Sequence, residues 1–169
     1  MNKVLAALLL LPLCGAAVSA HHGEDVVRWK GIAGVITAQG VDNPVGDIDS
    51  GTFAWTARSG RASVNLVSGQ TAFEVEGLVI NGTVFSGTPG PVNSITGTLV
   101  CNPGQRDETV LDTPVVSLNA QGDARFFGQI GNIPVSCGNP LFLLRIATPA
   151  TGAVGRWIAT GTERSADND

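Results

Sequence analysis

Downstream of residue 25 the chain alternates apolar and polar positions in short runs, with Gly, Asn, Pro or Ser breaking the pattern roughly every 8 to 12 residues. Period two between turn signals marks antiparallel strands, and no segment keeps the period of a helix. The pattern predicts a first strand over residues 26–37, with Val27, Trp29, Ala33 and Val35 on one face. A second, over 52–58, turns Phe53, Trp55 and Ala57 inward and Thr52, Thr56 and Arg58 outward. Ser59-Gly60 then returns the chain into a third over 61–67, which carries Ala62, Val64 and Leu66 inward. After Ser68-Gly69-Gln70, a strand over 71–80 buries Phe73, Val75 and Val79 and exposes Glu74 and Glu76. Asn81-Gly82 is a type I′ turn signal leading into 83–86.

A Gly/Pro-rich connection over 87–93 opens the second half. It reads as a crossover between sheets, because neither half alone buries enough surface to stand by itself. Further strands are predicted over 94–101, 110–118, 123–130, 141–146 and 156–161, with Asn119-Ala120-Gln121-Gly122 as the turn between 110–118 and 123–130. The expected architecture is all-β: one antiparallel β-sandwich, or flattened barrel, of about nine or ten short strands over residues 21–162. The polar residues 163–169 are expected to fray. The immunoglobulin pattern is not met, since no Trp falls between the two downstream cysteines.

Composition agrees. Of 169 residues 22 are Gly, nearly twice the usual share, which suits a chain of many turns. Hydrophobic residues make up 43% and charged ones 14%, so a packed core is affordable. Residues 1–20 carry the marks of a secretory signal: Lys3, an apolar run over 4–11, Pro12, and Val18-Ser19-Ala20 as a cleavage site between Ala20 and His21. The rival lipoprotein box, Leu11-Pro12-Leu13-Cys14, wants a small residue where Leu13 stands. No later apolar run approaches the length of a transmembrane helix, and the densest, 141–146, contains Arg145. The expectation is a secreted or periplasmic protein whose mature chain has no transmembrane segment.

Cleavage would remove Cys14 and leave Cys101 and Cys137, which should pair in an oxidising compartment. A redox pair would rather be Cys-x-x-Cys, and a metal site would want more Cys or His nearby. Beyond residue 20, nine Lys and Arg face 14 Asp and Glu. That balance speaks against nucleic acid or an anionic membrane as the main partner, leaving an unidentified envelope or extracellular ligand. Oligomeric state is not legible in these residues.

The inventory of reactive groups is short. Tyr is absent and no His lies past residue 22, so a Ser-His-Asp or Cys-His hydrolase would have to borrow its base from the N-terminus. No glycine-rich phosphate loop occurs. Three candidate sites remain, besides the aromatic residues. Cleavage after Ala20 would place the His21 α-amine, its imidazole and His22 within reach of one copper ion. The copper brace of lytic polysaccharide monooxygenases also begins with His, but its second ligand has no counterpart in residues 23–169. Asp42, Asn43, Asp47 and Asp49 crowd one loop with oxygen donors suited to calcium, although an EF-hand frame starting at Asp47 puts Arg58 where its Glu belongs. Glu74 and Glu76 would lie roughly 6 to 7 Å apart on one strand face, a spacing open to a glycosidase pair but equally that of two solvent-facing residues. Among the tryptophans, Trp29 and Trp55 read as core, and Trp157 is the candidate to be exposed as a ligand platform. Asn81-Gly82-Thr83 fits a glycosylation pattern that the turn already explains.

The segments Trp29-Lys30-Gly31-Ile32-Ala33-Gly34-Val35, Gly97-Thr98-Leu99-Val100-Cys101 and Leu118-Asn119-Ala120-Gln121-Gly122-Asp123-Ala124, with Cys137 and Phe142-Leu143-Leu144-Arg145-Ile146, carry a resemblance. Through them the chain resembles a group of small secreted bacterial β proteins of unassigned function. The resemblance implies secretion, a single β domain and a Cys101–Cys137 pair, and it brings no catalytic residues. The residues together point to an exported, non-enzymatic binding or structural module. The alternatives are a carboxylate-based glycoside hydrolase or carbohydrate-binding module, and an N-terminal metal-binding protein.

Overall fold

In the computed structural model, which describes residues 26–38 and 40–166, eleven strands form and no helix does. They are β1 (Val26–Gly34), β2 (Ala54–Thr56), β3 (Ser59–Asn65), β4 (Gln70–Glu76), β5 (Val79–Asn81), β6 (Ser94–Cys101), β7 (Thr109–Asp112), β8 (Val116–Ser117), β9 (Ala124–Gln129), β10 (Leu141–Thr148) and β11 (Ala153–Ala166). Nine of them make one antiparallel sheet in the order β7-β6-β10-β11-β1-β3-β4-β9, with β8 also on β6, while β2 and β5 pair separately. The long sheet curls into a half-barrel, and its concave face holds an aromatic core. Phe73 of β4 lies 5.6 Å from Phe142 of β10 and 5.8 Å from Phe126 of β9, and Trp29 of β1 lies 5.6 Å from Phe142. Cys101, at the end of β6, is bridged to Cys137. The all-β class, the antiparallel pairing and the disulfide are therefore as the alternation and the cysteine count predict.

Several local expectations fail, each for an identifiable reason. Ala33 is exposed and Ile32 buried, because β1 changes phase near Gly31, opposite the point where β11 carries Glu163 at a φ of 53°. Ser59-Gly60 is no turn. It opens β3, with Gly60 opposite Val75 and so close beneath Ile32 that a β-carbon would meet that side chain. Phe53 is consequently left exposed, outside the three-residue strand that holds buried Trp55. Gly77, at a φ of 62°, ends the strand predicted over 71–80, so Leu78 and Ile80 are buried and Val79 only partly so. No strand follows Asn81-Gly82. The Thr83 and Ser86 side chains bond the local backbone, Phe85 N to Thr83 Oγ1 at 3.0 Å and Thr83 N to Ser86 Oγ at 3.0 Å, and hold a turn instead. The strand predicted over 110–118 is split at Thr113-Pro114, where proline has no N–H to give a ladder.

At the other end, residues 163–166 continue β11 against β1, and the rest of the tail expected to fray, 167–169, lies outside the described residues. The predicted signal over 1–20, with His21 and His22, lies outside the described residues. Among the described residues no helix is long and apolar enough to cross a membrane.

Candidate functional site

The outer face of β1-β3-β4-β9 presents two cross-strand rows. Antiparallel register aligns Arg28 (β1), Ser63 (β3), Ala72 (β4) and Phe127 (β9) in one, and Arg61 (β3), Glu74 (β4) and Arg125 (β9) in the other, with Lys30 next along β1. The intervening row, Trp29, Ala62, Phe73 and Phe126, points its side chains into the concave face. Between the two outward rows runs a trough of about 810 Å³, floored by backbone and by the short side chains of Ser63 and Ala72. Arg28 stands at one end. Phe127, 80% exposed, stands at the other.

Local chemistry fixes this register. Asn65 accepts the N–H groups of Val67 (2.9 Å) and Ser68 (2.8 Å) through its side chain, which closes the β3–β4 hairpin and sets Arg61 opposite Glu74. Asn119 does the same before β9, accepting from Gln121 N at 2.9 Å and Asp123 N at 2.8 Å. Asp123 in turn accepts from Gly77 N at 2.9 Å and from Asn119 Nδ2 at 3.2 Å. These bonds, chiefly the one from Gly77, hold the Asp123 carboxyl below its ordinary value, with Arg58 adding a smaller pull.

Four of the nine cations beyond residue 20 thus stand around one trough, with Glu74 as its carboxylate. Glu74 receives Arg61 Nε at 3.0 Å. Lys30 and Arg125 form no ion pair among the described residues, so two cations of the trough stand without a carboxylate partner there on a chain that is acidic as a whole. Sequence reasoning missed this site. Its cations are spread from residue 28 to residue 125 and meet only through strand order, although Phe127, following Phe126 in a period-two strand, was a signal that one ring must face outward.

The residues singled out in the sequence are placed as follows. Glu74 and Glu76 both border a second depression of about 550 Å³ beside β8 and β9. Their side chains are 49% and 56% exposed, and Glu76 is held by Arg58 Nη2 at 3.3 Å and Ser59 Oγ at 3.1 Å. Neither is secluded by apolar walls, so the geometry a glycosidase acid requires is not built around them. Asp42 and Asp49 flank Arg156, Asp49 at 3.8 Å, while Asp47 N donates to Glu108 Oε1 at 3.3 Å. The Asp42 and Asp49 carboxylates thus serve an arginine, and Asp47 makes its contact through its backbone N–H. Among the described residues no group of three or more His, Cys, Asp and Glu is assembled to hold a metal. Trp157 is not an exposed platform: it is 7% exposed, and its indole N–H donates to Asn43 O at 2.9 Å, pinning residues 42–50 along β11. The aromatic residue that does face solvent beside the cations is Phe127.

Arg145, whose side chain is largely buried, belongs to the scaffold. Its Nε donates to Gly155 O at 2.8 Å and its Nη1 faces Asp112 Oδ1 at 3.5 Å. Burial pulls it below the ordinary arginine value and Asp112 opposes that pull.

Compared with known proteins, the chain matches no family model, and no curated protein or solved structure is significantly similar to it.

Proposed function

We propose that the protein is an exported, non-enzymatic binding module of the cell envelope or exterior, and that the trough between Arg28 and Phe127 holds its anionic ligand. One observation carries this reading: Arg28, Lys30, Arg61 and Arg125 are drawn from three strands and gathered around one open trough of about 810 Å³ on the outer face of the sheet. Like charges repel when brought together, and a fold that holds Lys30 and Arg125 beside Arg61 with no ion pair of their own among the described residues is suited to an anion that pairs with them. Export is supported by the signal-like pattern of residues 1–20 and by the Cys101–Cys137 bridge, which suits an oxidising compartment.

The test uses the acidity of the chain. At pH 7 and low salt, the mature protein should be retained on a carboxymethyl cation exchanger despite its net negative charge. Lys30→Glu with Arg125→Glu, both exposed positions, should pass straight through, while a control reversal at exposed Arg106 should not change retention. Flow-through of the unaltered protein would sink the proposal.

A further inference from the structure

Within that reading, on which this inference rests, we infer that the ligand is a carboxylated oligosaccharide: pyranose rings bearing carboxylates at intervals. Three features of the trough narrow the anion to this class.

The first is the pairing of Phe127 with Arg125. They sit two residues apart on the outward face of β9, so their side chains rise roughly 7 Å from one another. A sugar ring lying on the exposed Phe127 face places a carboxylate attached to that ring over the Arg125 guanidinium. A phosphate or a simple acid would use the arginine and leave the 80% exposed ring idle.

The second is the separation of the cations into two poles. Lys30 stands on β1 and Arg125 on β9, three strand spacings away, or roughly 14 Å. A small anion satisfies one pole only. A ligand that uses both needs anionic groups spaced along its length.

The third is Glu74, which lies between the poles with Arg61 and beside the Ser63 and Ala72 floor. Each strand of duplex DNA carries a phosphate about every 3.4 Å of helix axis and no other group on its backbone to turn toward this carboxylate, so it would set a phosphate against it. A uronate ring bears hydroxyls as well as its carboxylate and can turn the hydroxyl edge there and the carboxylate away, so that the Glu74 carboxylate and the Ser63 hydroxyl accept from it. Outside the trough the acidic surface further disfavours a long, densely charged polymer.

Isothermal titration at low salt with trigalacturonate, its neutral methyl ester and tripolyphosphate tests this. Trigalacturonate should bind, and its ester at least tenfold more weakly. Phe127→Ala should weaken trigalacturonate about tenfold and leave tripolyphosphate unchanged, whereas Lys30→Ala with Arg125→Ala should weaken both. Because Phe127 is exposed, its variant should melt with the parent. If trigalacturonate and tripolyphosphate bind alike and Phe127→Ala alters neither, the sugar assignment falls and the anionic trough stands. If neither acid binds, or the ester binds as well as the acid, both readings fall.

Discussion

Phe73 and Phe142 stand four places apart in the order of the sheet, yet their ring centroids are 5.6 Å apart. Only a strongly curled sheet brings such strands together, and Gly97 of β6 lets the two rings meet. A β-carbon there would stand 2.7 Å from atoms of both. Curling also splays the outer side chains of β1-β3-β4-β9, which opens the trough over its two short floor residues.

Gly97→Ala therefore overpacks the centre of the core. A loss of about 1–3 kcal/mol is expected, read as a lower urea midpoint with an unchanged slope. An unaltered midpoint would mean the rings are free to move apart.

Gly122 should be more sensitive than its place in a surface turn suggests. Its φ is 81°, and an added β-carbon would fall on the Leu78 backbone, whose N–H donates to Gly122 O at 2.8 Å. Gly122→Ala then adds a backbone strain of about 1–3 kcal/mol to a collision that no side-chain rotation relieves. Alanine at Gly82, at a similar φ but with open space around it, should cost less; equal melting of the two variants would refute the close approach.

The Cys101–Cys137 bridge closes a loop of 36 residues. Replacing both cysteines with alanine should lower stability by about 3–4 kcal/mol in the chain-entropy account. Denaturation of the parent with and without reductant should show the same gap.

Asp123 predicts a pH dependence with a definite sign. Its carboxyl is held below 3.8 in the folded protein by the bond from Gly77, so it binds fewer protons folded than unfolded near that pH. Its contribution is complete above the unfolded value and is lost as pH falls through the lower folded one. The stability gap between the parent and Asp123→Asn, measured by denaturant titration, should shrink as pH drops from about 5 to about 3. A gap constant over that range would place the stabilisation elsewhere.

Glu74→Gln separates the binding reading from the hydrolase reading. Removing the carboxylate frees Arg61, 3.0 Å away, and raises the charge of the trough, so retention on the cation exchanger should extend to higher salt. A glycosidase that used Glu74 would, in addition, lose turnover of a sugar substrate, and that loss is what tells the two readings apart.

The alternation alone determined a good deal: strands near β3, β4, β6, β9 and β10, buried Trp29, Phe73 and Val75, outward Glu74 and Glu76, and a disulfide from two remaining cysteines. These follow from period-two burial and local turn chemistry, which neighbouring residues settle among themselves. Tertiary structure decided what depends on distant partners. Gly60 reads as a turn until Ile32 is found packed above it, and Trp157 reads as a surface ring until residues 42–50 fold over it. The trough is the extreme case. Net charge is a sum over the whole chain, whereas an electrostatic site depends on distance, and Arg28, Lys30, Arg61 and Arg125 are brought within range of each other only by the β1-β3-β4-β9 order.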